Sequence, residues 1–156
     1  VSFDVNYRGL LWDARTAAKA LTPLCEMANV VFVALRDAHN VFEAQGDAET
    51  AARELQARWN GTVIVTCGEE GAAACDGAQT VKVPAFATTL VDRIGAGDAF
   101  ASGVICRLLE DAALVEALRF GAALAALKLT IIGDAALVSR AEVEAVMSQG
   151  QKALER

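Results

Sequence analysis

The chain has 156 residues, 54% of them hydrophobic and 22% charged, with a net charge of −6. That is enough apolar material for one domain with a sizeable core, and it excludes a disordered or fibrous chain. The acidic balance counts against nucleic-acid and anionic-membrane partners, which are met with basic surface, while a small anionic substrate stays compatible because a few local cations override the global sign.

Val1 to Val5 alternates apolar and polar and breaks at "NYRG", as a strand does when it delivers a loop to the edge of a sheet. From about Asp13 to Ala28 the apolar spacing becomes helical. "NVVFVAL" is a short β-branched run suited to a buried parallel strand, and Asp47 to Trp59 follows as an amphipathic helix with Asp47 as its cap. "GTVIVTCG" reads as a second buried strand. In "GAAACDGAQTVKVP", Asp76 and Gly77 form a tight turn between two extended arms, a hairpin signal. Further on, Asp98 to Leu109 and Leu114 to Leu129 are rich in alanine and leucine and read as buried helices. A last helix, about Arg140 to Leu154, is expected to be capped by Ser139, with Glu142 completing a capping box. Strands alternating with helices predict an α/β domain built on a mainly parallel sheet.

There is no run of about twenty apolar residues, so no membrane-spanning helix is expected. Cys25, Cys67, Cys75 and Cys106 are far apart, without a C-x-x-C pair or a histidine in zinc-site spacing, and are expected to be reduced, mostly buried thiols of a cytoplasmic protein. The only histidine, His39, is expected to be structural, and Trp12 and Trp59 to pack in the core. The first residues carry no basic n-region and no initiating methionine and begin in strand-like alternation, which leads to the expectation of a longer protein.

"DRIGAGDAFASG", from Asp92 to Gly103, is the stretch that carries chemistry. The N–H groups of Gly95, Ala96 and Gly97, at the start of a helix, can converge on one anion, because glycines admit close approach and the helix dipole adds positive potential. Asp98 then reads in two ways, as a helix cap or as a functional carboxylate, and spacing alone leaves both open. A dinucleotide-binding G-x-G-x-x-G fails because Phe100 stands three residues after Gly97. A P-loop fails for want of Gly-Lys-Ser/Thr, and the lysine and HRD loop of protein kinases are missing.

This stretch resembles the C-terminal signature D-T-x-G-A-G-D-x-F of the ribokinase or PfkB family of sugar kinases. Arg93 replaces the usual small residue, close to a loop that holds a monovalent cation in some members. The resemblance covers essentially the whole chain. "FDVNYRGLLW" is similar to the F-D-x-N-x-R-x-x-L-W segment of the branch containing 2-keto-3-deoxygluconate kinases and fructokinases, "VTCGEEGA" to the V-T-x-G-x-x-G nucleotide loop, and "TIIGDAAL" to a late G-D element. Where many members carry N-x-x-E after the middle strand, this chain has Ala34, Leu35, Arg36 and Asp37.

The resemblance implies a ribokinase-like three-layer α/β sandwich, of which residues 1–156 form the C-terminal part, with the nucleotide site and catalytic base but without the N-terminal strands and lid. It implies an ATP-dependent kinase that phosphorylates a sugar hydroxyl, first among substrates 2-keto-3-deoxygluconate, giving the 6-phosphate, with fructokinase or ribokinase-type activity as alternatives. It makes Asp98 the catalytic base, with Gly95, Ala96 and Gly97 around the transferring phosphoryl group. Asn6 and Arg8 fall on the nucleotide and substrate side, Thr66, Gly68 and Gly71 on the ATP loop, and Asp134 on the substrate. Asp92 becomes a ligand of a monovalent cation such as K+, Mg2+ accompanies ATP, and the intact protein is expected to be a homo-oligomer. Read without the family, Arg8 is a solvated loop charge and Thr66 to Gly71 a plain strand-to-hairpin turn. A non-catalytic nucleotide-binding module that keeps the glycines is the reading from another class, and weak or no activity is expected of these residues alone.

Overall fold

The β-branched runs become the middle of a five-stranded sheet. The computed structural model describes residues Val1–Leu154, and the chain divides into two units, the first Val1–Lys82 and the second beginning at Val83. The first unit contains β1 (Ser2–Asp4), α1 (Ala14–Met27), β2 (Val30–Ala34), α2 (Leu35–Phe42), α3 (Ala48–Trp59), β3 (Thr62–Thr66), a short 3-10 turn at Gly68–Glu70, and β4 (Ala72–Cys75). Strand β5 (Thr80–Val83) ends it, its last residue opening the second unit. Spatial order follows chain order from β1 to β5, with β1, β2 and β3 mutually parallel and β4 antiparallel to β3. The expected hairpin forms where Asp76 Oδ1 accepts the N–H groups of Ala78 and Gln79 at 2.9 and 2.8 Å.

Alternation along the strands sorts the core. Val31, Val33, Val63, Val65, Ala73 and Cys75 pack in one cluster with Ala17, Leu21 and Cys25 of α1, Val41 and Phe42 of α2, and Leu55 and Trp59 of α3. The intervening Phe32, Ile64 and Ala74 are buried as well, the pattern of strands in a sheet covered on both faces. Each fully buried valine or leucine contributes about 1.5–3 kcal/mol, so this cluster is the main source of the unit's stability. Trp59 meets Phe42 edge to face at 4.8 Å, and Trp12 packs half-buried against the same cluster, so both tryptophans are core residues. His39 is exposed and its Nε2 pairs with the Gly46 carbonyl at 2.9 Å, a structural role.

All four cysteines are free thiols, but only Cys25 and Cys75 are buried; Cys67 is half-buried and Cys106 exposed. Burial pushes the Cys25 thiol up to about 12, which keeps it protonated and unreactive. Helix α2 has no counterpart in the sequence reading. It starts directly at the end of β2 with Ala34 as its cap and no side-chain cap bond, so the local signals of a helix start are missing. Where a capping side chain exists, boundaries agree: Asp47 Oδ1 accepts from Thr50 N at 3.0 Å, and Asp13, expected as the first helical residue, caps α1 through Thr16 N at 2.9 Å.

The second unit holds α4 (Ala96–Leu108), α5 (Leu114–Lys128) and α6 (Arg140–Leu154). Helices α4 and α5 approach backbone to backbone where Gly103 faces Gly121. A Cβ on Gly103 would lie 2.9 Å from the Gly121 Cα, and one on Gly121 would lie 2.6 Å from Val104 Cγ2 and 2.7 Å from the Phe100 carbonyl oxygen. The capping box of α6 forms as expected, with Ser139 N donating to Glu142 Oε2 at 2.7 Å and Glu142 N to Ser139 Oγ at 3.4 Å. Arg107 and Arg140 lie over the Phe120 ring at 5.7 and 5.6 Å and both bond Glu110. Among the described residues no helix is long and apolar enough to cross a membrane.

Two measurements check this packing. Gly121→Ala forces a methyl into the α4–α5 contact and is expected to lower stability by about 1–3 kcal/mol in urea unfolding, whereas a well-tolerated helical glycine would gain from alanine. The backbone N–H of Thr16 and of Thr50 holds Asp13 and Asp47 below the ordinary carboxylate range. Their depressed folded-state values mean stabilisation that is present above the ordinary aspartate pKa and lost as pH falls below about 4. Thermal melts of Asp13→Asn/Asp47→Asn should show a shallower loss of stability on acidification than the parent, because asparagine caps without titrating.

Candidate active site

The second unit builds its site on the carboxyl end of α5. The last carbonyls of a helix lack intrahelical partners, and here the incoming chain supplies them. Val91 N and Asp92 N donate to the Leu129 carbonyl at 2.8 and 3.1 Å, and Thr88 Oγ1 donates to that of Ala126 at 3.1 Å. Asp92 then ties two turns together: its Oδ1 accepts from Ile94 N at 3.0 Å and its Oδ2 from Gly133 N at 2.9 Å. These two N–H groups, and after them the positive charge of Lys128, hold its carboxyl below the usual range. At the next glycine the two turns touch. Gly95 has φ +77°, and a Cβ there would overlap the Asp134 carbonyl oxygen and lie 2.8 Å from its carbon. Asp92, Gly95, Gly133 and Asp134 are thus brought into one constellation, although far apart in sequence.

Gly95 is the N-cap of α4, which begins at Ala96, two residues earlier than the sequence suggested. That bears on the reading of Asp98 as a helix cap. A capping aspartate would stand at position 95; Asp98 is the third residue of the helix, exposed, and among the described residues nothing bonds its carboxylate. Of the N–H groups expected in the cradle of Gly95, Ala96 and Gly97, one is engaged within the chain. Ala96 N–H turns back onto the Arg93 carbonyl at 3.3 Å, leaving the first-turn N–H groups of Gly97 and Asp98 without a partner in the helix. The helix surface beside Gly97 is open, since a Cβ there would meet nothing within 4 Å. A helix N-terminus with free donors and a carboxylate on the same turn can hold an anion and accept a proton beside it.

In the first unit the parallel register carries the remaining residues to one end of the sheet. Asp4 pairs with Phe32 and Ala34 with Thr66, so β1, β2 and β3 finish side by side. In open α/β sheets ligands bind outside the carboxyl ends of the strands. From β1 come Asn6, at φ +40° with its N–H on Asp4 Oδ1 at 3.1 Å, and Arg8, with its side chain exposed. From β2 comes Asp37, 5% exposed and paired with Arg36 at 3.1 Å. From β3 comes the turn after Thr66, closed by Cys67 N to the Gly71 carbonyl at 2.8 Å and Gly71 N to that of Gly68 at 3.2 Å. Gly68 faces open space in which a Cβ would meet nothing within 4 Å.

The structure therefore assembles Asn6, Arg8, Thr66, Gly68 and Gly71 at one end of the sheet, and Asp92, Gly95 to Asp98 and Asp134 at the start of α4. Among the described residues no three His, Cys, Asp or Glu side chains gather as a metal site. One residue that sequence reasoning missed is Lys128, fully buried at the end of α5 with Nζ on the Ile131 carbonyl at 2.9 Å. Its only signal was a lysine closing an otherwise apolar "GAALAALK" run.

Comparison with known proteins agrees with this architecture. The model of the pfkB family carbohydrate kinases matches residues 1–140. A 2-dehydro-3-deoxygalactonokinase of Haloferax volcanii is 43% identical over 99% of this chain and 49% of its own length. The crystal structure of a 2-dehydro-3-deoxygluconokinase from Thermotoga maritima superposes with a TM-score of 0.83 at 28% identity, covering 95% of this chain and 50% of that one. A putative ribokinase II from E. coli, in complex with ATP and Mg2+, superposes at 0.82 with 25% identity, covering 95% and 48%. The chain spans about half the length of the curated relatives it matches first. The expected ribokinase-like α/β fold with a mainly parallel sheet is borne out, and the chain belongs to the pfkB family of carbohydrate kinases.

Proposed function

We propose that the protein is an ATP-dependent kinase of sugar acids, and that residues 1–156 supply the part of its domain with the nucleotide loop and the catalytic base. The observation that carries the reading is Asp98: an exposed carboxylate on the first turn of α4, without a bonded partner among the described residues, beside first-turn N–H groups and an open surface at Gly97. In this role Asp98 accepts the proton of the sugar hydroxyl as its oxygen attacks the γ-phosphorus of ATP, and ADP leaves. The N–H groups of Gly97 and Asp98 donate to the transferring phosphoryl oxygens, where charge develops. Thr66, Gly68 and Gly71 hold the nucleotide, with Asn6 at its side. Arg8 offers a planar fork to the carboxylate of the substrate, and Asp134 accepts from a substrate hydroxyl. Mg2+ accompanying ATP would supply charge neutralisation on the phosphates.

The substrate we propose is 2-keto-3-deoxygluconate, converted to its 6-phosphate. Support comes from two relatives whose names specify the 2-dehydro-3-deoxy sugar acids, one galacto and one gluco. The two sugars differ in the configuration of one hydroxyl, so the pair is the natural competition experiment. Turnover of fructose with none of either keto acid, in an assay of ADP release by the full-length protein, rejects the substrate assignment.

Two variants test the chemistry. Asp98→Asn is expected to lower kcat by about 100- to 10,000-fold while ATP affinity by calorimetry stays within about twofold. Unchanged function in that variant identifies a nucleotide-binding module instead of an enzyme. Gly95→Ala cannot keep the contact with Asp134, and a displacement of about 1 Å at the start of α4 is expected to reduce kcat about 100-fold with the circular-dichroism spectrum unchanged.

A further inference from the structure

Lys128 is a charged side chain with no exposed surface, the one buried charge of its unit among the described residues. Its ammonium donates to the Ile131 carbonyl at 2.9 Å and reaches the Asp92 carbonyl at 3.5 Å. An ammonium taken out of water is costly unless oxygens replace its hydration, and the oxygens that do so come from two different turns. One turn leads from Asp92 through Gly95 to Asp98; the other runs from Ile131 to Asp134 and presses on Gly95. The Asp92 carboxylate, bonded to Gly133 N across the same gap, adds a negative charge that Lys128 balances. Two carbonyls and a carboxylate converging on one small region repel each other unless a cation stands among them.

We infer that Lys128 is a positioning residue whose ammonium serves as a resident monovalent cation, fixing the Asp92–Asp98 turn against the Ile131–Asp134 turn, so that phosphoryl transfer needs no free monovalent cation. The inference rests on the reading of Asp98 as the base, since what the ammonium fixes is the approach of the chain to that residue. The expectation of K+ on Asp92 gives way with it. Both Asp92 oxygens already accept an N–H, the nearby carbonyls face the ammonium, and a second cation within a few ångströms meets its repulsion. A lysine in the last turn of a helix also interacts with the helix dipole, but that contribution acts on stability and leaves the geometry of a neighbouring turn untouched.

The test measures kcat of the full-length protein in KCl against tetramethylammonium chloride at equal ionic strength, since tetramethylammonium has no N–H to donate and is too large for the site. The wild type should differ by less than about twofold between the two salts. Lys128→Met keeps the stem and removes the charge, and is expected to lower kcat about tenfold or more with KM for ATP and sugar acid within about twofold. Lys128→Ala should behave likewise, with methylammonium or K+ restoring activity that tetramethylammonium does not. Strong stimulation of the wild type by K+, or a Lys128→Met variant with wild-type kcat, overturns the inference; the first of these results needs no variant to fold. If the wild type phosphorylates no sugar at all, the kinase reading fails by itself, and amide hydrogen exchange then judges Lys128. Lys128→Met should speed exchange across residues 92–98 and 131–134 about tenfold while the slow amides of β2 and β3 keep their rates; uniform acceleration, or none, refutes a local positioning role.

Discussion

No side chain fits at residue 95, and the start of α4 follows from that. The Asp134 carbonyl occupies the place of a Cβ, so the position must be glycine, and its left-handed backbone turns the chain sharply into the helix. A glycine N-cap brings no oxygen to the first-turn donors, which leaves Gly97 and Asp98 N–H available to a ligand. The contact in turn depends on where α5 ends. Leu129 and Ala126 carbonyls hold residues 88–92, and α5 itself lies close against α4 because Gly103 and Gly121 let the two backbones meet. Small residues in the helix pair and a missing side chain in the turn are thus parts of one constraint, transmitted from core packing to the carboxylate of Asp98.

The first unit reaches a comparable result by other means. Three parallel strands in register must end on the same side, and the chain has to leave each of them there. Leaving β1 it makes a left-handed turn at Asn6, leaving β2 it enters α2 at once, and leaving β3 it closes the Gly68–Gly71 turn. The buried valines fix the register, since a slip of one residue would turn Val31, Val33, Val63 and Val65 away from the helices. Loops with exposed polar groups are therefore held by strands that cannot shift.

What the sequence revealed and what it hid divide along local and non-local physics. Asp47 and Ser139 announce helix starts because the cap bond spans three residues, and "VVFVA" and "TVIVT" announce strands because β-branching acts within each residue. Helix α2 has no local start signal because its cap, Ala34, forms no side-chain bond, and the start of α4 is not marked by a capping side chain because its cap is a glycine. The glycine signature marks the turn into α4, but the bond from Ala96 N to the Arg93 carbonyl is a detail of backbone geometry that no sequence pattern records. Lys128 looked like an ordinary helix-ending lysine. One of the two oxygens that meet its ammonium comes from a residue 36 positions away in sequence, and no local pattern records that.

"DRIGAGD" contains two aspartates six positions apart, alike in charge and both near glycine, and the structure makes them unequal. Asp92 directs one oxygen to Ile94 N and the other to Gly133 N, with the Lys128 ammonium near; each of these favours its ionised form, and a carboxylate so stabilised is a poor proton acceptor. Its work is to join two turns. Asp98 has none of these partners among the described residues and stands exposed on the helix, where an incoming hydroxyl can reach it. The bonds that fix the first aspartate also fix the backbone that carries the second, so a carboxylate tied into two turns and an exposed one stand within seven residues. An overall negative charge does not prevent such a protein from handling phosphates, because the groups that would meet them are neutral N–H donors at a helix start, whose attraction is local and independent of the net charge.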